Sequence, residues 1–545
     1  MSEARRRAAA GAAIACVLGS PALLGAQSVV GIATRTIDGS LNNLARPDWG
    51  AAATPLLRTA AADYGDGRGT PAGANRPSAR AISNAVAAQV GEVPNARGAT
   101  DFLWQWGQFL DHDLSLTELA YPTEAMPIAV PLGDPWFDPF GLGAQEIPMD
   151  RSHHTPDDLG VRQQENDLTS YLDASQVYGS DPVRAAALRD GRGFLRTSAN
   201  GLLPRNRFGL PNAPSAALAT FFLAGDVRAN EQVGLTALHT LFVREHNAMV
   251  HVLEVLGLPP DDRYEVARAL VGAEIQAITY NEFLPVLLGA GALRPYTGYR
   301  SEVDPRIANE FSTVAFRVGH TMLSRTLLRL DGAGLPLPVG ALALRDAFFA
   351  PGEIERYGIE PFLRGLARQR AQEIDPLIVD EVRNFLFGAP GAGGFDLVSL
   401  NLQRGRDHGI PGYRALRIAY GLPPVDRWRD LPADPARRAR LAAVYDSVAD
   451  VDAWIGGLSE EHVPGAMVGP LFHRILVDQF ERLRDGDRFW YQSYLPPNVS
   501  AWIERQTLAT IIRRNTTIGA ELPDDVFVAG RRRPATATTA RERSE

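Results

Sequence analysis

The stretch FLWQWGQFLDHDLSLT, residues 102–117, sets three ionisable side chains next to one another in an otherwise apolar segment. Asp111, His112 and Asp113 are consecutive there, and Gln108 stands four residues before the histidine. On a helix Gln108 and His112 share one face, Asp111 borders it, and Asp113 is rotated away by about 100°. Buried ionisable groups need partners, so we expect this helix to serve two separate sites.

The pair of His112 and Gln108 indicates a pocket for proton transfer. An imidazole beside a fixed amide can move protons near neutral pH. The stretch alone is equally compatible with a structural histidine that an aspartate satisfies in the core. Other segments have to distinguish the two readings.

A second segment, LTSYLDASQVYGSD at residues 168–181, places oxygen-bearing residues at alternating positions. They are Thr169, Tyr171, Asp173 and Ser175. Hydroxyl, carboxylate and backbone carbonyl oxygens are the hard ligands that Ca²⁺ prefers, and Asp113 would complete such a site. A turn rich in serine and threonine gives the same pattern without a metal.

Two further segments carry a candidate metal ligand and candidate charges. His320 lies in AFRVGHTMLSRTLL, where a helical histidine is either structural or a ligand of haem iron. A ligand of that kind needs an acceptor for its other ring nitrogen, which Asn401 in SLNLQRGRDHGIPGY can supply. Arg228 and Glu231, in AGDVRANEQ, put a cation and a carboxylate on one turn.

Composition limits the class of protein. The chain has 545 residues, 45% hydrophobic and 22% charged, which is enough for a large folded core. Its composition does not shift along the chain, so we predict one large domain over residues 27–530. The net charge of −8 argues against a nucleic-acid surface. The spacing of histidines and acids fits neither a zinc site nor a di-iron site.

The two chain ends carry predicted segments of their own. Residues 1–26 combine a charged start, a short apolar run and small residues, which is typical of a secretory signal peptide; a frayed alanine-rich tail is the alternative. The single cysteine, Cys16, lies inside it, so the mature chain would form no disulfide. Residues 531–545 are predicted as a disordered polar tail. We therefore expect a secreted or periplasmic protein without a membrane span, and its use of arginine for basic residues is typical of a GC-rich bacterial genome.

Hydrophobic periodicity predicts a mainly α fold with long loops and little β structure. Period-2 alternation is scarce, whereas apolar residues recur at helical spacing. The predicted helices cover residues 101–114, 235–257, 261–289 and 304–330, and residues 27–98 are predicted as extended loops. Asp261 or Asp262 is expected near the cap of the third helix.

Together these segments resemble the animal-type haem peroxidases of the peroxidase–cyclooxygenase superfamily. Five motifs occur in the family's order: WGQFLDHDL, DLTSYLDASQVYGS, LHTLFVREHN, FRVGHT and LNLQRGRDHGIPGY. The match runs from residue 35 to residue 417 and is weak beyond it. The resemblance implies a large, mainly α haem-peroxidase domain.

The resemblance also implies roles for individual residues. His112 matches the distal histidine that moves the proton of H₂O₂, Gln108 the distal amide and Arg228 the distal arginine. His320 matches the proximal iron ligand, and Asn401 matches its hydrogen-bond partner. Asp111 and Glu231 match the carboxylates that the family esterifies to the haem. Arg317 and Arg404 match residues that would contact the haem propionates. The residues that would bind calcium are Asp113, Thr169, Tyr171, Asp173 and Ser175.

The activity implied by the resemblance is that of a peroxidase with haem b and Ca²⁺. It would use H₂O₂ to oxidise iodide, bromide, thiocyanate and small aromatic donors through a compound I intermediate, and a monomer is favoured. Gln232 stands where some family members have a methionine that forms a sulfonium link, so only the two esters are expected.

Two alternative functions remain open at this point. The oxygenase branch of the superfamily uses a radical tyrosine three residues before the proximal histidine, where this chain has Arg317. A calcium-stabilised adhesion protein could also use the scaffold without catalysis. The retained Gln108, His112 and Arg228 argue against that second alternative.

Overall fold

The computed structural model describes residues 31–530, so the predicted signal peptide and the predicted polar tail lie outside the described residues. Within that range the chain is mainly helical with a few small sheets, as the sequence predicts. The α-helices, in chain order, are α1 (Ala79–Val86), α2 (Phe102–Leu114), α3 (Ser175–Tyr178), α4 (Pro182–Leu188), α5 (Val233–Val255), α6 (Pro260–Ile278), α7 (Leu284–Leu288), α8 (Asn309–Thr313), α9 (Leu344–Ala347), α10 (Pro351–Tyr357), α11 (Glu360–Arg368), α12 (Asp380–Arg383), α13 (Leu397–Asp407), α14 (Tyr413–Ala419), α15 (Pro435–Val444), α16 (Ala453–Ser459), α17 (Pro470–Asp485), α18 (Tyr491–Tyr494), α19 (Pro497–Ile503) and α20 (Leu508–Asn515).

Other regular segments are short. Segments of 3₁₀ helix lie at Ala199–Gly201, Ala315–Thr321, Trp428–Asp430 and Val448–Asp450, and a π-helical turn lies at Thr279–Phe283. The strands are β1 (Thr54–Pro55), β2 (Ile128–Ala129), β3 (Glu146–Ile147), β4 (His154–Pro156), β5 (Arg162–Asn166), β6 (Thr326–Leu327) and β7 (Leu342–Ala343). All pairs are antiparallel: β5 lies between β1 and β4, β2 pairs with β3, and β6 pairs with β7.

The core is built around α5, which is buried along most of its length. It packs against α6, α2, α11 and α20, and a helix that is apolar on most of its faces needs such neighbours on every side. Trp106 and Phe109 of α2 and Phe242 of α5 form the contact between these two helices, with ring centroids 5.2–5.8 Å apart. This packing sets the direction in which the polar residues of α2 face.

The structure corrects the prediction of a single helix over residues 304–330. The segment instead contains α8, the 3₁₀ segment Ala315–Thr321 and strand β6. Val314, which is buried, interrupts the helix with φ −121° and ψ −74°, outside the helical region. His320 therefore lies on a 3₁₀ segment, where residues three apart are eclipsed.

Two smaller predictions also differ from the structure. The predicted loop region 27–98 contains α1, which Ser78 caps by accepting a hydrogen bond from the backbone N–H of Arg80. Periodicity missed α1 because Arg80 is fully buried there, paired with Asp134 and Asp396. The third predicted helix is divided into α6, the π-helical turn and α7. The acids at positions 261 and 262 lie in the first turn of α6, near its N-cap Pro259, as predicted.

None of the helices within residues 31–530 has both the length and the apolar composition needed to cross a membrane.

Candidate active site

A cavity of about 420 Å³ lies between α2, the 3₁₀ segment of residues 315–321, α13 and the loop before α5. Every catalytic and cofactor-binding residue that the sequence singled out lines this cavity: Gln108, Asp111, His112, Arg228, Glu231, Arg317, His320, Asn401 and Arg404. Apolar side chains such as Phe283, Phe316 and Leu400 complete the wall. The fold thus brings together residues from four distant parts of the sequence.

His112 is buried in this cavity and faces two carboxylates. Its Nδ1 lies 3.4 Å from Oδ1 of Asp226, and its Nε2 lies 3.8 Å from Oε2 of Glu231. Burial and the nearby Arg228 guanidinium lower the pKa of His112 well below its ordinary value. The imidazole is therefore neutral and able to accept a proton.

Arg228 is held in place chiefly by Asp226, a residue that the sequence reasoning missed. Nε and Nη2 of Arg228 donate to the two oxygens of Asp226 at 2.9 and 2.8 Å, and Nη2 also donates to the carbonyl of Ser115 at 3.0 Å. Burial alone would raise the pKa of Asp226, but the Arg228 charge outweighs it and holds that pKa below its ordinary range. The sequence feature that could have identified Asp226 is its position two residues before Arg228 in GDVR.

The backbone before Asp226 approaches another segment closely. A Cβ at Gly225 would collide with the backbone carbonyl of Ser175 in α3. Only glycine fits such a contact without moving the backbone, so Gly225 fixes the Asp226 loop against the loop that carries the predicted calcium ligands.

Gln108 belongs to a network of side-chain amides. Its Oε1 accepts hydrogen bonds from Gln105 at 3.3 Å and from Gln232 at 3.2 Å, and its Nε2 donates to Oε2 of Glu231 at 3.1 Å. Gln232 also donates to Gln105 and accepts from the backbone N–H of Gly234 at 2.7 Å at the start of α5. With its oxygen occupied and one amide hydrogen donated to Glu231, Gln108 keeps one amide hydrogen for a ligand in the cavity. Sequence reasoning missed Gln105, whose position one turn before Gln108 was the available signal.

Asp111 and Glu231, the predicted ester-forming residues, both lie in the cavity wall. Burial raises the pKa of Asp111, and it raises the pKa of Glu231 to about 7, although Arg228 opposes both shifts. Arg228 and Glu231 are three residues apart in the sequence, which placed a cation and a carboxylate on one turn. In the structure Arg228 pairs with Asp226 and, at 3.4 Å, with Asp111, whereas Glu231 accepts from Gln108.

His320 also lines the cavity, where its side chain contacts Asn401. Nδ1 of His320 lies 2.9 Å from Nδ2 of Asn401, whose Oδ1 accepts from Nη1 of Arg317 at 2.8 Å. Burial, with a contribution from Arg317, lowers the pKa of His320 to about 3. His320 is therefore neutral, which is the form that binds a metal.

These residues fit a haem. Nε2 of the neutral His320 has no hydrogen-bond partner among the described residues, and Arg317 and Arg404 supply cations in the same cavity for propionate groups. Arg404 already donates to the carbonyl of Asp150, to Ser152 and to Asp407, so it is held rigidly.

The residues predicted to bind calcium also come together. Asp113 accepts from the backbone N–H of Ser175 at 2.5 Å and from its hydroxyl at 2.8 Å, and Thr169 donates to Asp173 at 3.1 Å. The Tyr171 hydroxyl donates to the carbonyl of Trp49, which leaves only its backbone carbonyl as a ligand. Within residues 31–530, no group of three or more His, Cys, Asp or Glu side chains is arranged to hold a metal, and this set contains two carboxylates.

Asp113 of α2 and Asp173 of the neighbouring loop are both unfavourable in their charged form. Burial and the proximity of Asp173 raise the pKa of Asp113, and burial raises the pKa of Asp173. Oδ2 of Asp173 is buried without a hydrogen-bond partner in the described part of the chain. Two buried carboxylates that accept from the same backbone N–H of Ser175 are costly unless a cation or protons neutralise them.

Comparison with known proteins identifies the family to which the chain belongs. The family model of the animal haem peroxidases matches residues 34–527, further than the motif match that weakened after residue 417. Peroxinectin A of Dictyostelium discoideum is 37% identical over 90% of this chain and 95% of its own length, and human eosinophil peroxidase is 37% identical over 91% of this chain and 76% of its own. Pig thyroid peroxidase is also 37% identical, but the match covers 60% of that longer protein.

Solved structures give the same result. Peroxidase A from Dictyostelium discoideum superposes with a TM-score of 0.85 at 35% identity, covering 91% of this chain and 99% of that one. A fatty acid α-dioxygenase of Arabidopsis thaliana has a TM-score of 0.78 at 19% identity, covering 93% and 85%, and shows the shared fold alone. The chain therefore belongs to the animal haem peroxidase family, and it is a haem-dependent oxidoreductase of the peroxidase class that reacts with H₂O₂.

Proposed function

We propose that this peroxidase oxidises iodide, bromide, thiocyanate and small phenols at the cavity between His112 and His320. The proposal rests on one observation: a neutral His112, a charged Arg228 and a hydrogen-bonded Gln108 line the same cavity. Haem bound through His320 would supply the redox-active iron. The side chains of this chain would supply the proton transfer and the charge stabilisation.

His112 would act as the base and then the acid of the peroxide reaction. Its neutral ring takes the proton of H₂O₂ and returns it to the departing oxygen, so that water leaves. Arg228 would stabilise the negative charge that develops on that oxygen, because Asp226 and Ser115 hold its guanidinium in place beforehand. The remaining amide hydrogen of Gln108 would bind water or an anionic donor above the haem.

We propose that Asp111 and Glu231 form ester links to the haem, and that Gln232 forms none. Ester links withdraw electron density and raise the potential of the iron, whereas Gln232 has no thioether and so adds no sulfonium. We expect iodide, bromide, thiocyanate and phenols to be oxidised readily and chloride poorly. Efficient chloride oxidation near neutral pH would contradict this preference.

Two further proposals concern the ion and the location. We propose that Ca²⁺ binds at Asp113, Asp173 and the neighbouring oxygens, because the contacts among these groups leave two buried carboxylates to be neutralised. We also propose that the protein acts in the periplasm or outside the cell, on the strength of the signal-peptide pattern in residues 1–26.

The test of the main proposal is a spectrum followed by an assay. The purified protein should show a Soret band, and it should oxidise iodide and guaiacol only when H₂O₂ is added. His320→Ala should lose the Soret band, while the matched control His153→Ala, which alters a histidine outside the cavity, should keep it. A haem spectrum without peroxide-dependent oxidation would instead favour the adhesion-scaffold alternative.

A further inference from the structure

The β2–β3 loop, residues 130–145, exposes large apolar side chains. Phe140 is 86% exposed, Leu132 is 74% exposed and Leu142 is 66% exposed, and Trp136 of the same loop is exposed as well. A side chain as exposed as Phe140 contacts little of its own protein. Single exposed apolar residues are ordinary on a protein surface, whereas several of them on one short segment indicate a binding surface.

The apolar side chains lie close together because the two ends of the loop meet. A Cβ at Gly143 would lie 3.1 Å from Cδ1 of Leu132. The carboxylate of Asp138 joins the same two ends, since it accepts hydrogen bonds of 2.8–3.0 Å from the backbone N–H groups of residues 133, 142 and 143. Leu132 and Leu142 are therefore neighbours, and Phe140 precedes Leu142 by two residues.

The exposed surface of this loop carries no charged side chain. The charged residues within residues 130–145 are Asp134 and Asp138, and both are buried. Asp134 forms an ion pair of 2.7 Å with the buried Arg80. The surface that the loop offers to a partner is therefore apolar and neutral.

The two buried acids also satisfy the backbone of the loop. Asp134 accepts from the backbone N–H groups of Trp136 and Phe137, both at 2.9 Å, in addition to the three N–H groups that Asp138 accepts. Positions 135 and 139 are prolines, which have no N–H. A segment that enters lipid must satisfy its N–H groups from within, because hydrocarbon offers no acceptor. A segment that docks on a protein can use acceptors of the partner, so this arrangement favours lipid.

The size of the surface also favours lipid over a protein partner. A stable protein interface uses about 20–30 residues on each side, whereas this loop supplies a few apolar side chains. Its base resembles the boundary of a membrane. The ring of Trp136 lies 5.1 Å from that of Phe385, and the exposed Arg345 places its guanidinium 5.4 Å from the same ring. Tryptophan and arginine side chains of this kind are typical of the headgroup region.

We propose that the β2–β3 loop attaches the protein to a lipid bilayer, with Leu132, Phe140 and Leu142 at the acyl boundary and Trp136 among the headgroups. Glu146, exposed at the start of β3, carries a charge opposite to that of Arg345. Zwitterionic lipids therefore suffice, and attachment needs no anionic lipid. The inference is independent of the proposed function, since none of these side chains lines the haem cavity.

Cosedimentation of the haem-loaded protein with phosphatidylcholine vesicles tests the proposal. We expect the wild type to sediment with the vesicles and added salt to leave the binding unchanged, because salt screens charges and not apolar contacts. Phe140→Ser combined with Leu142→Ser should weaken the binding about tenfold or more, since both side chains would lose their apolar surroundings. Val90→Ser combined with Val255→Ser, at apolar residues outside the loop that are at least as exposed as Phe140, is the matched control and should bind like the wild type.

The substituted side chains are exposed, so the Soret band and the thermal midpoint should be the same in the loop variant, the control and the wild type. Leu132→Ser is a second loop variant and should also weaken the binding. A wild type that stays in solution, or a loop variant that binds as well as the wild type, would overturn the inference. Sedimentation velocity provides the remaining test: a dimer that the loop variant abolishes, without vesicle binding by the wild type, would assign the loop to a second copy of the chain and overturn attachment to lipid.

Discussion

Arg317 donates from Nη1 to Oδ1 of Asn401 at 2.8 Å, and this contact sets the orientation of the Asn401 amide. The amide nitrogen then lies 2.9 Å from Nδ1 of His320. A histidine that binds iron through Nε2 carries its proton on Nδ1 and needs an acceptor there. We therefore expect the amide to turn over when haem binds, with Arg317 released toward a propionate.

The Asn401 amide can be tested by changing it to a stronger acceptor. Asn401→Asp would place a carboxylate against Nδ1–H of His320, make the ligand more basic and lower the reduction potential of the iron. Spectroelectrochemical titration of the haem measures this directly. Asn75→Asp, at an exposed position outside the cavity, is the control. An unchanged reduction potential of the haem iron in Asn401→Asp would show that Asn401 is not the hydrogen-bond partner of the iron ligand.

His112 should govern the reaction with peroxide. His112→Ala is expected to keep its haem but to react with H₂O₂ about 10²–10⁴-fold more slowly, the usual contribution of a positioned acid–base group. Burial and Arg228 lower the pKa of His112 well below its ordinary value, so its base form persists through about pH 6.5, where a free imidazole takes up a proton, and the wild-type rate should show no loss of this base there. Stopped-flow absorbance at the Soret band gives both results. A wild-type rate in the variant would refute the role.

Calcium should be present in protein purified without added metal. Bound Ca²⁺ would neutralise Asp113 and Asp173, whose pKa values burial raises. Removing it with a chelator should lower the thermal midpoint and, since Asp113 follows His112 in α2, should also slow the peroxide reaction. Metal analysis of the wild type, of Asp173→Asn and of the exposed control Asp158→Asn tests the proposal; a metal-free wild type would sink it.

The ester links should be detectable by extraction. After turnover with H₂O₂, acid acetone should leave haem attached to the wild type, and mass spectrometry should find it on peptides containing Asp111 and Glu231. Asp111→Asn and Glu231→Gln should each lose one link, and the double variant should release all of its haem. Complete extraction from the peroxide-treated wild type would rule out the esters.

Asp101 should make stability depend on pH. Burial raises the pKa of this carboxyl from 3.8 to about 8, although hydrogen bonds from Trp104 and Ser324 oppose the shift. Because the folded-state pKa is the higher one, the unfolded chain loses its proton first, and stability falls as pH rises from about 4 to about 8. The fall is at most about 6 kcal/mol, since each pKa unit is worth about 1.4 kcal/mol.

Asp101→Asn cannot ionise, so its thermal midpoint should fall less between pH 5 and pH 8 than that of the wild type. Asp446→Asn, at an exposed aspartate, should follow the wild type. Parallel curves for all three proteins would show that Asp101 is not the group responsible.

Much of the site could be predicted because it depends on local spacing. Gln108, Asp111, His112 and Asp113 lie on one helix, and the 3.6-residue period alone separates a face that meets the haem cavity from a residue that meets the Thr169–Ser175 loop. The same period identified α5 to within a few residues and the start of α6 to within one. The family's motifs supplied His320 and Asn401, whose contact no local rule predicts.

Only the tertiary structure decided which partners these side chains have. Asp226 holds Arg228, Gln105 and Gln232 orient Gln108, and Arg317 contacts Asn401. It also broke the helix predicted around His320 at the buried Val314, whose backbone dihedrals are not helical. The spacing of apolar residues in the sequence indicates which face of a segment is buried. The partner of a buried polar group comes from a segment far away in sequence, and packing and hydrogen bonding select it only when the whole chain has folded.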